Sequence, residues 1–147
     1  MGVSTDAILC YGVPFPEGYE FPWQTIDNYD FEGWWLLKVC GLEPQKDDEP
    51  FDDYYTRYRA FREANPCPVT LVYHCSDSYT MYIIAAKGLY KKAYRGEPKV
   101  IEPSFVNATD EQRQSVIDFC NTHCQPTNSY DELPEIDPKW YLCSWWG

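Results

Sequence analysis

Seven cysteines and two histidines are the side chains in this sequence that could act as nucleophiles, bases or zinc ligands. His74 and His123 each precede a cysteine, the residue pair that nucleophilic thiol catalysis requires. Neighbouring side chains on a strand or helix do not face each other, so a dyad would need a distant partner, such as Cys75 with His123. Cys120 and Cys124 could share a zinc ion, but the chain has no Cys-x-x-Cys pair. We therefore interpret these residues as ordinary thiols and imidazoles.

Other catalytic and metal-binding patterns are equally weak. Asn28 to Gly33 places oxygen ligands as the first half of a calcium loop does, but position 12 would be Val39 instead of a carboxylate. The chain contains no phosphate-binding glycine loop, no His-Glu-x-x-His and no Gly-x-Ser-x-Gly. Ser76-Asp77-Ser78 beside His74 is typical of a turn. The sequence therefore favours a function without catalysis, metal or cofactor, although carboxylate pairs among 23 acidic residues stay open.

Acidic residues interleaved with aromatic rings are the most unusual feature of the chain. Aromatic residues make up 18% of it, and exposed rings commonly anchor interfaces. Spaced carboxylates beside such rings could occupy a groove built for phosphates and bases, although an acidic solvated face is the simpler alternative. The predicted partner-binding residues are Trp23, Asp27, Asp30, Glu32, Asp47, Asp48, Glu49, Asp52, Asp53 and Tyr54.

The charge is large and unevenly distributed. A net charge of −11 and an isoelectric point near 4.4 argue against direct binding to nucleic acid or to an anionic membrane. Residues 54–101 nevertheless hold 8 basic and 3 acidic residues. Seven of these cations could contact the phosphates of a small ligand such as a nucleotide, which is the alternative function; they are Arg57, Arg59, Arg62, Lys87, Lys91, Lys92 and Arg95. A minor virion or assembly protein, and association as a homodimer, also stay open.

The local patterns predict one α+β domain spanning residues 1–147, with about five mostly antiparallel strands and two helices. Apolar runs predict strands at 6–13, 34–40, 69–75, 79–86 and 139–146, the third and fourth forming a hairpin. Rings spaced i, i+3, i+4 and i+7 from Phe51 predict a helix that stops at Asn65-Pro66. Thr109-Asp110-Glu111-Gln112 predicts a capping box at the start of a second helix, which Pro126 ends.

The cellular setting is inferred from what the sequence lacks. It shows no charged-then-apolar leader and no apolar run near the roughly 20 residues that cross a bilayer. An odd number of scattered cysteines then predicts reduced thiols in a reducing cytoplasm.

The two ends of the chain resemble a known group. Residues 1–12 (MGVSTDAILCYG) and 138–147 (PKWYLCSWWG) are similar to the ends of small, uncharacterised accessory proteins of tailed bacteriophages. The resemblance implies a protein made in the cytoplasm of a bacterial host, where small acidic phage proteins often bind and disable host enzymes or defence complexes. It supplies no catalytic residues. The function expected is inhibition of a host protein that has a basic surface.

Overall fold

A computed structural model describes residues 4–24, 33 and 35–147 as an α+β fold built on a closed four-stranded sheet. The strands are β1 (Thr5–Pro14), β2 (Val69–Ser76), β3 (Thr80–Ala93) and β4 (Lys139–Trp146). The longer helices are α1 (Phe51–Ala64) and α2 (Asp110–His123), with a π-helix at Leu36–Cys40 and a 3-10 helix at Pro103–Val106. The α+β class is confirmed, with four strands in the described residues instead of about five.

β1 is the strand on which the sheet closes. It pairs antiparallel with β3 on one side and with β4 on the other, from Thr5↔Trp146 to Gly12↔Lys139. β2 and β3 form the predicted antiparallel hairpin, in which the Ser76 hydroxyl accepts from the Tyr79 amide at the turn. Parallel pairing of β2 with β4 at Cys75↔Trp145 and Ser76↔Trp146 completes the barrel order β1-β3-β2-β4.

β3 continues beyond its predicted end at Ala86 because its pairing with β1 changes register. Gly12 lies opposite Ala85, whereas Cys10 lies opposite Tyr90, so β3 contains extra residues at this point. Gly88 adopts φ +82° within that irregularity, a conformation that glycine reaches without steric cost. The lysine-rich segment after it then pairs with Ala7 to Cys10.

The predicted strand at 34–40 is wrong. The described part of this segment, Leu36–Cys40, is a π-helix, which Gly41 terminates with φ +87° and an amide that donates to the Leu36 carbonyl. Leu36 is buried in the main core, and Leu37, Val39 and Cys40 pack against that core. A short apolar run is equally compatible with a buried strand and with one buried helical turn, so tertiary contacts decide between them.

Two apolar clusters fill the two sides of the sheet. The smaller one joins Ile8, Cys10, Val72, Ile83 and Ala85 from three strands. The larger one combines a chain of rings with the buried face of α2; the rings are Phe15, Tyr19, Phe21, Trp23 and Trp35, and α2 contributes Val116, Phe119 and Cys120. Successive ring centroids lie 4.6–5.1 Å apart, which adds edge and stacking attraction to simple burial.

Both predicted helices are confirmed, together with their end signals. The capping box is present, since Thr109 Oγ1 accepts from the Gln112 amide at 3.1 Å and the Thr109 amide donates to Gln112 Oε1 at 2.9 Å. α1 ends where Asn65 adopts the left-handed conformation. The aromatic stripe of α1 is not a buried face, however, because no residue of this helix is buried.

The prediction of seven reduced cysteines is wrong for two of them. Cys40, at the end of the π-helix, and Cys67, before β2, form a disulfide whose Cα atoms lie 5.6 Å apart. Cys10, Cys75, Cys120, Cys124 and Cys143 are free thiols. The disulfide joins the two ends of the segment that carries α1.

Replacing Gly12 by alanine should destabilise the fold by at least about 2 kcal/mol. A Cβ at this position would collide with the Ile84 carbonyl oxygen and the Ala85 backbone, where β1 and β3 approach closely. Gly18→Ala is the control, since it adopts φ +74° in open space and should cost about 1 kcal/mol. Urea unfolding of both variants measures the difference, and equal losses would contradict the close approach.

Reduction of the Cys40–Cys67 disulfide should lower the free energy of unfolding by about 3 kcal/mol, because the bond closes a loop between residues 27 positions apart. Urea unfolding with and without dithiothreitol measures this loss. The variant Cys40→Ala/Cys67→Ala should unfold like the reduced protein and be insensitive to the reductant. A thiol titration of the denatured, unreduced chain should find five thiols; seven would contradict the disulfide.

Candidate partner-binding surface

The loop before α1 and the first turns of α1 form an exposed surface of carboxylates and rings. We call Asp47, Asp48, Asp52, Asp53, Phe51 and Tyr55 the acidic–aromatic surface; all six are exposed. Phe51 is 65% exposed and Tyr55 is 49% exposed, although both are large rings. Asp52 and Asp53 lie in the first helical turn, where the positive end of the helix dipole favours negative charge.

The rings of this surface are stacked along one side of α1. The centroids of Phe51 and Tyr55 lie 6.0 Å apart with their planes 15° from parallel, and Tyr55 and Tyr58 follow at 6.2 Å and 8°. Tyr58 and Phe61 are half-buried against the main core and hold the helix on the barrel. The rings of the helical stripe therefore differ in exposure along the helix. Phe51 and Tyr55, near its N-terminal end, face solvent, whereas the rings nearer its C-terminal end pack against the core.

Arg57 fixes the acidic loop to the helix. Its Nε and Nη2 donate to the two carboxylate oxygens of Glu49 at 3.1 and 2.9 Å, a bidentate pair. Its Nη1 donates to the Glu43 carbonyl at 2.8 Å and its Nη2 also to the Pro44 carbonyl at 3.3 Å. The guanidinium lies 5.1 Å from the Tyr54 ring centroid. The Arg57 side chain therefore links α1 to three residues of the loop that precedes it.

This ion pair also shifts the pKa values of the two side chains that form it. Hydrogen bonds from Arg57 lower the pKa of Glu49 below its ordinary value, and Glu49 raises the pKa of Arg57. The Glu49 carboxylate additionally accepts from the Lys46 amide at 3.2 Å. The Glu49 carboxylate is therefore hydrogen-bonded within the loop. The neighbouring Asp47 and Asp48 are exposed to solvent.

The structure distributes the predicted site residues over different environments. Asp47, Asp48, Asp52 and Asp53 are brought together and exposed. Glu49 and Tyr54 belong to the same segment but are half-buried around Arg57. Asp27, Asp30 and Glu32 lie outside the described residues.

Trp23, one of the predicted partner-binding residues, lies in the main core. Trp23 is 2% exposed and stacks on Phe21 at 4.6 Å in the main core, with Trp35 at 5.1 Å. A large ring that is fully packed cannot contact a partner without unfolding its surroundings. The exposed rings of this surface are Phe51 and Tyr55, which the sequence placed on the helical stripe without assigning them to the site. Their position just after an acidic loop was the available signal.

Most of the cations considered for phosphate binding have partners within the protein. Lys92 forms an ion pair at 2.9 Å with the buried carboxylate of Asp6. Lys87 Nζ donates to the Asn65 carbonyl at 2.6 Å, and Lys91 lies 5.1 Å from the Phe105 ring centroid. Arg57 is committed to Glu49. These contacts lie on different parts of the surface and build no single cationic pocket.

The thiols and imidazoles do not assemble a metal site in the part of the chain that the structure describes, where no cluster of three or more His, Cys, Asp or Glu side chains could hold an ion. Cys124 hydrogen-bonds to Cys120, and burial together with this contact raises its pKa. His123 packs its ring on Phe119 at 4.7 Å. His74 is partly buried, and desolvation lowers its pKa.

Comparisons with protein-family models, curated proteins and solved structures find no match to this chain. Among the described residues, no helix is both long and apolar enough to cross a membrane.

In Arg57→Gln, the pKa of Glu49 should rise toward the ordinary value for glutamate because the hydrogen bonds that stabilise its carboxylate are lost. Protonation of Glu49 in the native protein breaks the same contacts. Their stabilising effect is therefore present above the unfolded pKa and is lost as the pH falls through the lower folded pKa. An NMR titration of the side-chain carboxyl measures both proteins. Asp137, whose pKa Arg113 lowers, is the internal control and should not change.

Proposed function

We propose that this chain is a non-enzymatic accessory protein of a tailed bacteriophage that binds and inhibits a host protein in the host cytoplasm. Its target is a protein with a basic surface, such as the nucleic-acid groove of a defence nuclease or surveillance complex. The observation that carries this proposal is the acidic–aromatic surface, where four exposed carboxylates lie beside two exposed, stacked rings. The phage origin rests on the resemblance of the two chain ends.

The two components of the surface would contribute differently to binding. Phe51 and Tyr55 offer apolar area that a partner can desolvate, which is the usual source of most binding energy in an interface. The carboxylates, with a chain charge of −11, would accelerate encounter with a basic groove and make association sensitive to salt. A groove that binds nucleic acid offers both cations for phosphates and flat surfaces for bases.

Preorganisation supports the same proposal. The Arg57 contacts to Glu49, Glu43 and Pro44 hold the loop in one arrangement before any partner is present. A surface that is already ordered loses less conformational entropy on binding, which favours affinity. Direct binding of nucleic acid is disfavoured by the same charges.

The test is a pull-down of the tagged protein from lysate of a bacterial host, with washes of increasing salt and identification of retained proteins. We expect a stoichiometric nucleic-acid enzyme that elutes as the salt concentration rises. Retention of no protein at any salt concentration, from a folded sample, would overturn the proposal.

The contribution of the carboxylates is tested with two variants of equal net charge. Asp47→Asn/Asp48→Asn/Asp52→Asn/Asp53→Asn removes the acids of the surface, and Asp110→Asn/Glu111→Gln/Glu132→Gln/Glu135→Gln removes four exposed acids elsewhere. We expect the first to slow association with the retained target by about tenfold at low salt and the second to have a smaller effect. Surface plasmon resonance measures both, and equal rates would remove this surface from the proposal.

The rings have their own matched control. Phe51→Ala/Tyr55→Ala should raise the dissociation constant by about tenfold or more, mainly through faster dissociation. Tyr79→Ala/Tyr130→Ala removes two other exposed rings, 63% and 93% exposed, and should leave the constant unchanged.

Small-ligand binding is the second candidate, supported by a cleft of about 470 Å³ at the N-terminal end of α2. Its lining includes Lys91, Ser104, Asn107 and Gln112, which offer one cation and several hydrogen-bonding groups, together with the carboxylate of Glu102. A phosphate-containing ligand that fills this cleft should raise the melting temperature. No shift across a panel of nucleotides would eliminate this candidate.

A further inference from the structure

The outer side of β1 and its two neighbours, β3 and β4, forms a partly exposed apolar face. Ile8 and Cys10 point into the smaller core cluster, whereas Ala7 and Leu9 alternate with them on the opposite side. Leu9 lies opposite Leu142 of β4, and Ala7 lies opposite Ala93 of β3. We call Ala7, Leu9, Ala93, Ile101 and Leu142 the barrel face. Leu142 is 78% exposed there, unusual for a sheet side that faces water.

The barrel face contains a groove with positive charge at its edge. The groove has a volume of about 140 Å³ and is lined by Lys91 and Lys99 in addition to Leu9, Ile101 and Leu142. Within the described ranges, no carboxylate forms an ion pair with Lys91 or Lys99. An apolar cavity of about 150 Å³ holds a benzene ring, so this groove suits one aromatic side chain.

The same chain carries the complementary surface. The acidic–aromatic surface presents Phe51, 65% exposed, beside Asp52 and Asp53. Neither aspartate forms an ion pair with any of the residues that the structure describes. One surface thus offers a ring and carboxylates, and the other offers an aliphatic groove and lysines. A contact between the two surfaces would remove apolar area from water and pair opposite charges at the same time.

We propose that the barrel face binds the acidic–aromatic surface of a second copy of this chain. Phe51 of one copy occupies the groove between Leu9, Ile101 and Leu142 of the other. Lys91 and Lys99 lie beside the carboxylates of Asp52 and Asp53. The two patches differ, so a single contact leaves one unused patch on each chain. Further copies then extend the assembly into a ring or linear chain, unless a two-fold dimer closes both contacts at once. This inference goes beyond the proposed function, and a basic partner would compete with self-association for the same carboxylates and rings.

The test mixes two variants, each defective in one patch. Leu142→Asp/Lys99→Glu alters the barrel face at exposed side chains, and Phe51→Ala/Tyr55→Ala alters only the other patch. In sedimentation velocity, the wild-type chain should form assemblies larger than the monomer as concentration rises at low salt. Each variant alone should remain monomeric. An equimolar mixture should give a species of two chains and nothing larger, since one intact patch from each variant remains.

The controls separate this result from misfolding and from the proposed function. Circular dichroism and urea unfolding confirm that each variant is folded, and Tyr79→Ala/Tyr130→Ala should associate like the wild type. Raising the salt from about 50 to 500 mM should weaken association by about tenfold. Wild-type chain that stays monomeric, folded variants that still self-associate, or a mixture that stays monomeric would overturn the inference. The experiment contains only this chain, so its failure leaves host-protein binding untouched.

Discussion

The pairing of the first strand with the last is the constraint on which the rest of the structure depends. β1 lies between β3 and β4, and the backbones of Ser4 and Gly147 exchange two hydrogen bonds beyond the ladder. Because β4 pairs with both β1 and β2, the four strands of the described residues close into a barrel. Closure leaves little space between β1 and β3, and only glycine fits at position 12. It also gives β1 two different sides. Ile8 and Cys10 are buried in the smaller cluster on one side, whereas on the other side Ala7 is exposed and Leu9 is half-buried.

The closed sheet determines where the connecting segments can pack. The aromatic chain from Phe15 to Trp23 and the face of α2 cover one side, and their burial provides the largest apolar cluster. α1 does not bury a comparable face, because only its residues Tyr58 and Phe61 pack against the core. It is instead held by two local devices, the Cys40–Cys67 disulfide and the Arg57 contacts with the preceding loop. The exposure of Phe51 and Tyr55 follows from this manner of attachment.

Charge segregation along the sequence becomes charge segregation on the surface. The acids of residues 47–53 remain together on the loop and on α1, and the lysines at 91 and 99 remain together beside the barrel face. Lys92 is the exception, since it turns toward the buried Asp6 and neutralises it. The same molecule therefore carries an acidic surface with aromatic rings and a basic surface with aliphatic residues, and the charges of the two surfaces are complementary.

Local patterns in the sequence determined the helices, the hairpin and the class of fold. The capping box at Thr109, the stop at Asn65-Pro66 and the turn after Ser76 act through contacts within a few residues, so they can be predicted without tertiary information. The acidic aspartates of the candidate site could be predicted for the same reason, because charged side chains seldom become buried. Only the tertiary structure decided that Trp23 is core and Phe51 is surface, that residues 36–40 form a π-helix, and that Cys40 meets Cys67. Each of those outcomes depends on which distant segment lies alongside, and aromatic rings, short apolar runs and cysteines carry no local signal of their distant partners.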